Sequence, residues 1–519
     1  MWLLRGEEMA RYKEYDYNQS KLIPVYFKDQ ILPGTFEYAL NHIVDNELDL
    51  SIFLDRYKND ATGAPAFDPA ILLKIILFAY SHGITSSRKI EACCQNNILF
   101  KALAADTQPH FTTLADFIST MEKEITPLFR NVLLICDEMG LIGKEMFAID
   151  GCKLPSNASK EWSGTKEDFA KKKEKIDQTI GHILKKHQTE DKTAPEQSTG
   201  DKTEKHLSNL RKKSEKIKQW LSESEDKPGK SGNIKKSNIT DNESAKMASS
   251  HGVIQGYNGV AAADAKHQII VHGEAHGEGS EHDLLKPMIE GTEENFKAIG
   301  EEEPIFKETK LLADSGFHTE ANMKMLDEEK IDGYVADNRF RKRDPRFATA
   351  ERYKNPIKKE KPKKKYFTPS DFKYDETKGK VICPAGNALY LKNSNFAVRD
   401  LKGVSYMARE TDCRGCPLRA QCLRKPNTVA RQVTFFTGKT TEAKESFTQK
   451  MIKKIDSENG RSIYSRRMGI VEPVFANIRS TLGLDRFSLR GKVKVNTQWL
   501  LFCITHNLGK IHRYGLQVG

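Results

Sequence analysis

The chain has 519 residues, enough for about three domains of ~150 residues each. Its hydrophobic fraction of 38% and its formal net charge of +12 exclude a wholly disordered chain and favour a polyanionic partner. No apolar stretch reaches the ~18 residues needed to cross a bilayer, and the N-terminal apolar run is too short for a signal peptide. No amphipathic basic helix supports a membrane surface as the partner. We therefore expect a cytoplasmic protein.

The first quarter of the chain, residues 20–140, is predicted to be mainly helical. One helix should begin after Asp68, a residue type that caps helices, with Pro69 at the first helical position. Two short helices that begin at hydroxyl residues follow, and they would expose Arg88 and Lys89. This pattern is compatible with a helix-turn-helix DNA reader that uses these two side chains. An ordinary helical bundle is the alternative interpretation.

Residues 160–250 differ in composition, because lysine, glutamate and small polar residues dominate them. Apolar residues recur there at a rough helical period, which predicts two long charged helices around a polar middle at 188–202. The segment 226–250 is predicted to be a flexible loop. The whole insertion is interpreted either as a DNA-facing element or as a solvated helical hairpin.

Strand-like runs appear on both sides of this insertion. They cover residues 146–149, 253–264, 267–272 and 310–313, and a helix is predicted at 320–329. Strands followed by helices around one sheet indicate an α/β core.

Three acidic residues lie where a metal-dependent phosphodiester enzyme would need them. Asp150 and Asp314 each follow an apolar strand-like run, and Glu472 lies on a predicted helix at 469–484. A carboxylate directly after a buried run is costly unless it is paired or binds a cation. Mg²⁺ prefers oxygen ligands, and three carboxylates brought together could hold two such ions for an in-line displacement at phosphorus.

A strongly basic segment, residues 337–365, follows the second acidic residue, and aromatic side chains interleave with its charges. We interpret it as a contact with phosphate backbones rather than as a solvated loop. The residues predicted to make this contact are Arg339, Arg341, Lys363, Lys364 and Lys365.

Four of the nine cysteines form a group that includes a C-x₂-C pair. Four thiolates with paired spacing suit a tetrahedral structural Zn²⁺, which would stabilise a small module that lacks a large core. Reduced structural thiols and redox chemistry are the alternatives. The four proposed ligands are Cys383, Cys413, Cys416 and Cys422.

Three ordered blocks of residues resemble the DDE transposases of bacterial insertion sequences. The first block is Ala148-Ile149-Asp150-Gly151, and the second is Ala313-Asp314-Ser315-Gly316-Phe317. The third begins Gly469-Ile470-Val471-Glu472-Pro473, continues through Arg479 and runs to Arg486-Phe487 and Arg490-Gly491. Each block alone is a weak signal, but the three in this order are specific, and the resemblance covers most of the chain.

The resemblance implies an RNase H-like mixed sheet flanked by helices, two Mg²⁺ ions (with Mn²⁺ as a substitute) and DNA strand transfer. Asp150, Asp314 and Glu472 take the family's carboxylate roles. Many relatives carry a Tyr-Arg-Glu-Lys signature around the glutamate. Tyr464 and Arg467 resemble its first two members, although Arg467 precedes Glu472 by five residues rather than four. Arg479 occupies the lysine position, so Arg467 and Arg479 are implied DNA contacts.

The resemblance also implies double-stranded DNA as the partner, both element ends and target, with a homodimer in the DNA complex and a nucleoid-associated location. A nuclease without strand transfer and an inactive DNA-binding derivative are the competing interpretations. The expected domains are a helical DNA-binding domain at 1–142, a first core segment at 143–336 with the charged insertion 160–250, a basic and cysteine-rich insertion at 337–440, and a second core segment at 441–519.

Overall fold

A computed structural model of the protein describes residues 24–57, 65–190, 200–228, 234–249, 252–347, 366–375, 380–398, 401–425, 427–439 and 445–515. These residues form two compact units. The first comprises the described residues within Met1–Phe317, Glu329–Tyr334 and Ile463–Gly519. The second comprises His318–Glu328 and the described residues within Val335–Ser462.

The first unit begins with helices. They are α1 Phe36–Asn46, α2 Pro69–Ser81, α3 Ser87–Asn96, α4 Ile98–Leu103, α5 Phe111–Ser119 and α6 Ile125–Glu138. The predicted start of α2 is confirmed, because the Asp68 carboxylate accepts the Ala70 N–H at 2.8 Å. This helix is buried on nearly every side, and its one buried charge, Lys74, pairs with Asp45 at 2.6 Å.

The strands that follow are β1 Met146–Pro155, β2 Ser163–Gly164, β3 Lys227–Pro228, β4 Ile234–Lys235, β5 Ser237–Asn238, β6 Ala245–Ser249, β7 Gly252–Asp264, β8 Ile270–His276, β9 Lys310–Ala313 and β10 Gly333–Val335. The main sheet has the order β10-β9-β1-β7-β6, and β8 also pairs with β7. Because β1 is antiparallel to β7 but parallel to β9, the sheet is mixed. The prediction of an α/β protein is therefore confirmed.

Two long helices, α7 Lys166–Glu190 and α8 Gly200–Glu223, lie between β1 and β6, as the apolar period predicted. Phe169, Ile217 and Trp220 form their shared core. The prediction of a flexible loop at 226–250 is wrong for its described part, which contains β3 to β6. Polar residues there are buried in hydrogen bonds, as when Tyr257 donates to Asp241 at 2.8 Å. A polar composition alone does not predict that these side chains will form buried hydrogen bonds.

The remaining helices are α9 Leu285–Ala298, α10 Glu320–Glu328, α11 Phe340–Arg343, α12 Glu410–Arg414, α13 Arg419–Cys422, α14 Phe447–Asp456, α15 Glu458–Ala476 and α16 Lys492–Tyr514. A π-helix, Asn477–Thr481, follows α15. Short 3-10 helices cover Phe27–Gln30, Leu50–Arg56, Lys160–Trp162, Ile305–Lys307, Ser315–Phe317, Pro345–Phe347 and Pro369–Asp371.

Helix α16 is the centre of the first unit's core. It packs against β8, α6, α2 and α1, and its residues are buried almost continuously from Thr497 to Leu508. The indole of Trp499 lies over Gly259 and Gly273 of the neighbouring strands, where an added Cβ would come within about 3.1 Å of the ring. These two glycines therefore let the helix approach the sheet closely.

The second unit contains an antiparallel sheet in the order β11-β12-β13-β14-β15. Its strands are β11 Lys373–Asp375, β12 Lys380–Ile382, β13 Ala388–Val398, β14 Leu401–Met407 and β15 Gln432–Lys439. The buried core of this sheet is small and consists of Phe372, Val381, Leu389, Ala408 and Val433. Among the described residues of both units, no helix combines the length and the apolar composition needed to cross a membrane.

Candidate active site

The mixed sheet brings the first two predicted carboxylates side by side. In the parallel pairing of β1 with β9, Ile149 is the partner of Ala313, so the residues that follow them, Asp150 and Asp314, are neighbours. The prediction that Asp150 ends its strand is wrong, because β1 continues to Pro155. It continues because β7 pairs with β1 from Asp264 back to Gly256.

Arg467 of α15 bridges the two carboxylates. Its Nη1 lies 2.8 Å from Asp150 Oδ2 and its Nη2 lies 3.3 Å from Asp314 Oδ1. The arginine is only 8% exposed, so it is a buried counter-ion for two acids. Burial raises the pKa of Asp150, while Arg467 and the Gly151 N–H act against that rise. One buried guanidinium group is therefore the counter-ion of both aspartates.

A cavity of about 730 Å³ opens beside this pair. It is lined by Asp150, Gly151, Cys152, Lys153, Pro155, Ala248, Ser249, Ile254, Glu281, Asp314, Arg479 and Asp485. Acidic residues and two cations therefore face one space, which suits a ligand that carries both anionic oxygens and bound cations.

The cavity contains a carboxylate that the sequence analysis missed. Glu281 lies in the connection between β8 and α9, and its Oε1 accepts a hydrogen bond from Asn258 Nδ2 at 3.1 Å. Burial raises the pKa of Glu281, the hydrogen bond from Asn258 opposes that rise, and Asp150 and Asp314 add to it. One signal was available: Asn258 is an amide in a mostly apolar strand, and a buried amide needs a partner.

The two remaining residues of the predicted signature lie differently. Arg479, in the π-helix, lines the cavity together with Asp150 and Asp314. Glu472 lies on α15 with an exposed side chain and is not among the residues that line the cavity. Of these two residues, only Arg479 therefore faces the cavity.

The oxygen-rich donor set of the cavity suits Mg²⁺, which prefers hard oxygen ligands and keeps several waters. Within the described ranges, no three histidine, cysteine, aspartate or glutamate side chains are already arranged as ligands of one metal ion. Arg467 supplies the positive charge between Asp150 and Asp314 instead. Metal binding at this pair would therefore need these side chains to rearrange.

The four grouped cysteines surround a second, much smaller cavity of about 30 Å³ in the other unit. Cys383, Cys413, Cys416 and Cys422 all line it, and the Asn387 N–H donates to Cys383 Sγ at 3.3 Å. Burial raises the pKa of Cys422, and the other three cysteines add to that rise while Arg431 opposes it. The space is about that of one water molecule or ion. The four thiols border this space, but in the described part of the chain they are not arranged as ligands of one ion, so the zinc site stays a prediction.

The predicted DNA contacts are spread over both units. Arg88 and Lys89 are exposed on α3, and the Arg88 guanidinium stacks 4.5 Å from the Phe111 ring. Arg339 is exposed and Arg341 is half-buried at the start of the basic segment. Lys363, Lys364 and Lys365 lie outside the described residues.

Other arginines of the basic segment serve the fold. Arg343 forms ion pairs at 2.6 Å with both Asp337 and Asp456, and Arg346 pairs with Asp344 at 2.8 Å. The positive charge of the segment 337–365 is therefore partly neutralised by acidic residues of its own unit.

Replacing Arg467 with methionine should destabilise the metal-free protein by up to about 3–5 kcal/mol, since it leaves two neighbouring carboxylates without their buried counter-ion. We expect Mg²⁺ to restore more stability to Arg467→Met than to the parent chain. Urea unfolding with chelator and with Mg²⁺ measures both effects. Arg466→Met is the matched control, because Arg466 pairs with the exposed Glu145 at 2.9 Å and should contribute about 0–1 kcal/mol. Equal losses in the two variants would contradict a counter-ion role for Arg467.

Two family models match parts of the chain. The Transposase DDE domain matches residues 382–512, a range that includes Arg467, Glu472 and Arg479. The Transposase domain (DUF772) matches residues 25–120, which contain α1 to α5. No curated protein matches the chain.

Proposed function

We propose, from the premise that its two family matches identify this chain as an insertion-sequence transposase of the DDE class, that it cuts DNA at the element's ends and joins the freed ends to target DNA. The observation that carries the proposal is the position of Asp150 beside Asp314, because each directly follows one of the paired residues Ile149 and Ala313 of two adjacent parallel strands. The two aspartates face a cavity that also presents Lys153 and Arg479. The mixed sheet flanked by helices would then be an RNase H-like core.

Asp150 and Asp314 would hold divalent cations in this cavity, and Glu472 is the proposed third carboxylate. When bound, two such ions supply the charge that activates the attacking oxygen and stabilises the leaving oxygen at phosphorus. Glu472 is exposed on α15, so we expect it to reach the cavity only when DNA is bound.

The cations of the chain would position the DNA. Arg479 and Lys153 face the cavity, where each can contact a phosphate, Arg479 in bidentate fashion and Lys153 as a point charge. Arg467 supplies the positive charge between Asp150 and Asp314 in the absence of metal. The helical region with Arg88 and Lys89 is the proposed contact with element ends, and a homodimer would bring two ends together.

A target-joining assay tests this function. Purified protein, Mg²⁺, a labelled duplex that carries the element end and a circular target should give joined product. Cleavage without joining would indicate a nuclease. Sequence-specific binding without cleavage would indicate an inactive DNA-binding derivative. The flanking DNA of the gene supplies the end sequence for the assay.

Charge reversal at Lys363, Lys364 and Lys365 should weaken binding to all duplexes alike, because lysines reach phosphates and phosphates carry no sequence information. The slope of log affinity against log salt should fall by about 0.9 for each lost phosphate contact. Fluorescence anisotropy on an element end and on a random duplex, over a salt series, measures this.

The control carries the same change in net charge elsewhere. Lys286, Lys307 and Lys324 are exposed lysines that each pair with a glutamate on their own helix or turn. Their charge reversal should leave the salt slope nearly unchanged. An equal salt slope in both triple variants would mean that Lys363, Lys364 and Lys365 are solvated and do not contact phosphates. A selective loss of affinity for the element end would instead assign them a sequence-reading role.

A further inference from the structure

Glu281 belongs to none of the three transposase blocks, yet it faces the same cavity as Asp150 and Asp314. Its carboxylate is close enough to both aspartates for their charges to act on it. Asp485 lines the cavity as well, so four carboxylates face a space that is also lined by two cationic side chains, Lys153 and Arg479. Carboxylates this close repel one another, which favours a bound cation among them. Arg467 contacts only Asp150 and Asp314, so it does not neutralise Glu281.

The glycines that follow the two aspartates make room for Glu281 and its partner. A Cβ on Gly316 would lie 2.2 Å from Glu281 Oε2, and a Cβ on Gly151 would lie 2.7 Å from Asn258 Oδ1. No side chain larger than a hydrogen fits at these points unless Glu281 or Asn258 moves. Gly151 of the first block and Gly316 of the second block therefore both lie against the hydrogen-bonded pair of Glu281 and Asn258.

Asn258 is fully buried, and only one end of its amide is satisfied. Its Nδ2 donates to Glu281, whereas its Oδ1 is buried without a hydrogen-bond partner among the described residues. That oxygen is directed at Gly151, which lines the cavity. A buried acceptor without a donor requires an explanation, and an ion or an ordered water is the usual one.

We propose that Glu281 is a further carboxylate of the metal site formed by Asp150 and Asp314, and that Asn258 is the positioning residue that holds it there. This inference rests on the proposed function, since it concerns the same divalent cations. Glu281 offers the hard anionic oxygen that Mg²⁺ and Mn²⁺ prefer. Because it faces the cavity while Glu472 does not, Glu281 contributes to metal binding before DNA arrives.

Mn²⁺ titration of the full chain without DNA, followed by electron paramagnetic resonance, tests the proposal independently of cleavage. Glu281→Gln removes the charge but keeps an oxygen that can accept the Asn258 hydrogen bond, so the fold should persist. We expect it to weaken Mn²⁺ binding about 10- to 100-fold. The matched control is Glu278→Gln, an exposed glutamate three residues earlier that lies 3.9 Å from Lys235, and it should bind Mn²⁺ like the parent chain.

The variant Gly316→Ala distinguishes metal coordination by Glu281 from a general effect of its negative charge on Mn²⁺ binding. Its added methyl group displaces the Glu281 carboxylate without changing the net charge, so a ligand role predicts weaker Mn²⁺ binding in this variant too. Parent-like affinity in Gly316→Ala, with a loss only in Glu281→Gln, would reduce Glu281 to a distant charge and overturn the proposal.

Asp150→Asn and Asp314→Asn distinguish this inference from the proposed function. If both lose Mn²⁺ while Glu281→Gln binds normally, the inference is wrong and the aspartate site stands. If both bind Mn²⁺ like the parent chain, or if the parent chain binds none, the metal site of the proposed function fails, and with it the role of Glu281.

Discussion

Replacing Asp150 or Asp314 with asparagine, or Glu472 with glutamine, should abolish Mg²⁺-dependent cleavage of an element end while DNA binding stays largely intact. Divalent ions supply several kcal/mol of transition-state stabilisation, so loss of a carboxylate ligand should slow cleavage by at least about 1,000-fold. DNA affinity should persist because phosphate contacts, rather than carboxylates, dominate it.

A cleavage time course and an anisotropy titration on the same duplex give both quantities. The control is Asp327→Asn, an exposed carboxylate on α10 that lies 3.5 Å from Lys450, and it should cleave like the parent chain. Near-normal cleavage in one of the three variants would remove that residue from the catalytic set. The Glu472 variant tests whether that side chain joins the site when DNA is bound, because it lies outside the cavity in the DNA-free chain.

The second large effect concerns the cysteine module. We expect one tightly bound Zn²⁺ per chain, held by Cys383, Cys413, Cys416 and Cys422, which all line one small cavity. Structural zinc sites contribute about 10–16 kcal/mol of apparent binding free energy, and the buried core around β11 to β15 is small. Chelation, or Cys416→Ser, should therefore unfold this module.

Elemental analysis of protein purified without chelator gives the zinc content, and limited proteolysis reports the module's folding. Cys93→Ser is the control, since Cys93 is half-buried on α3 in the other unit and should leave the zinc content unchanged. Zinc-free parent protein, or full zinc content in Cys416→Ser, would contradict the assignment and favour reduced structural thiols.

Local patterns in the sequence were sufficient to predict much of this fold. The cap at Asp68, the two charged helices of the insertion and the apolar runs before Asp150 and Asp314 all depend on neighbouring residues, although β1 itself continues past Asp150. The side-by-side position of the two aspartates then follows from parallel pairing of their strands.

The features that escaped prediction depend on contacts between distant residues. Arg467 reaches Asp150 across 317 positions of the chain, and the partner of Glu281 is Asn258 on another element. A short glutamate-containing connection gives no hint that an amide lies opposite. The strands β3 to β6 form in a polar segment for a similar reason, because buried hydrogen bonds stabilise them and a polar composition does not reveal such bonds.

The position of α16 has a consequence for biosynthesis. This last helix of the described chain lies at the centre of the first unit and packs against α1, α2 and α6 as well as β8. Synthesis proceeds from the N-terminus, so these elements leave the ribosome long before the helix that covers them. Their apolar faces therefore remain exposed, to chaperones or to premature association, until α16 has been synthesised. Asp150 and Asp314 likewise lack their counter-ion until Arg467 has been synthesised, so a nascent chain that ends before these residues has neither a finished core nor a finished cavity.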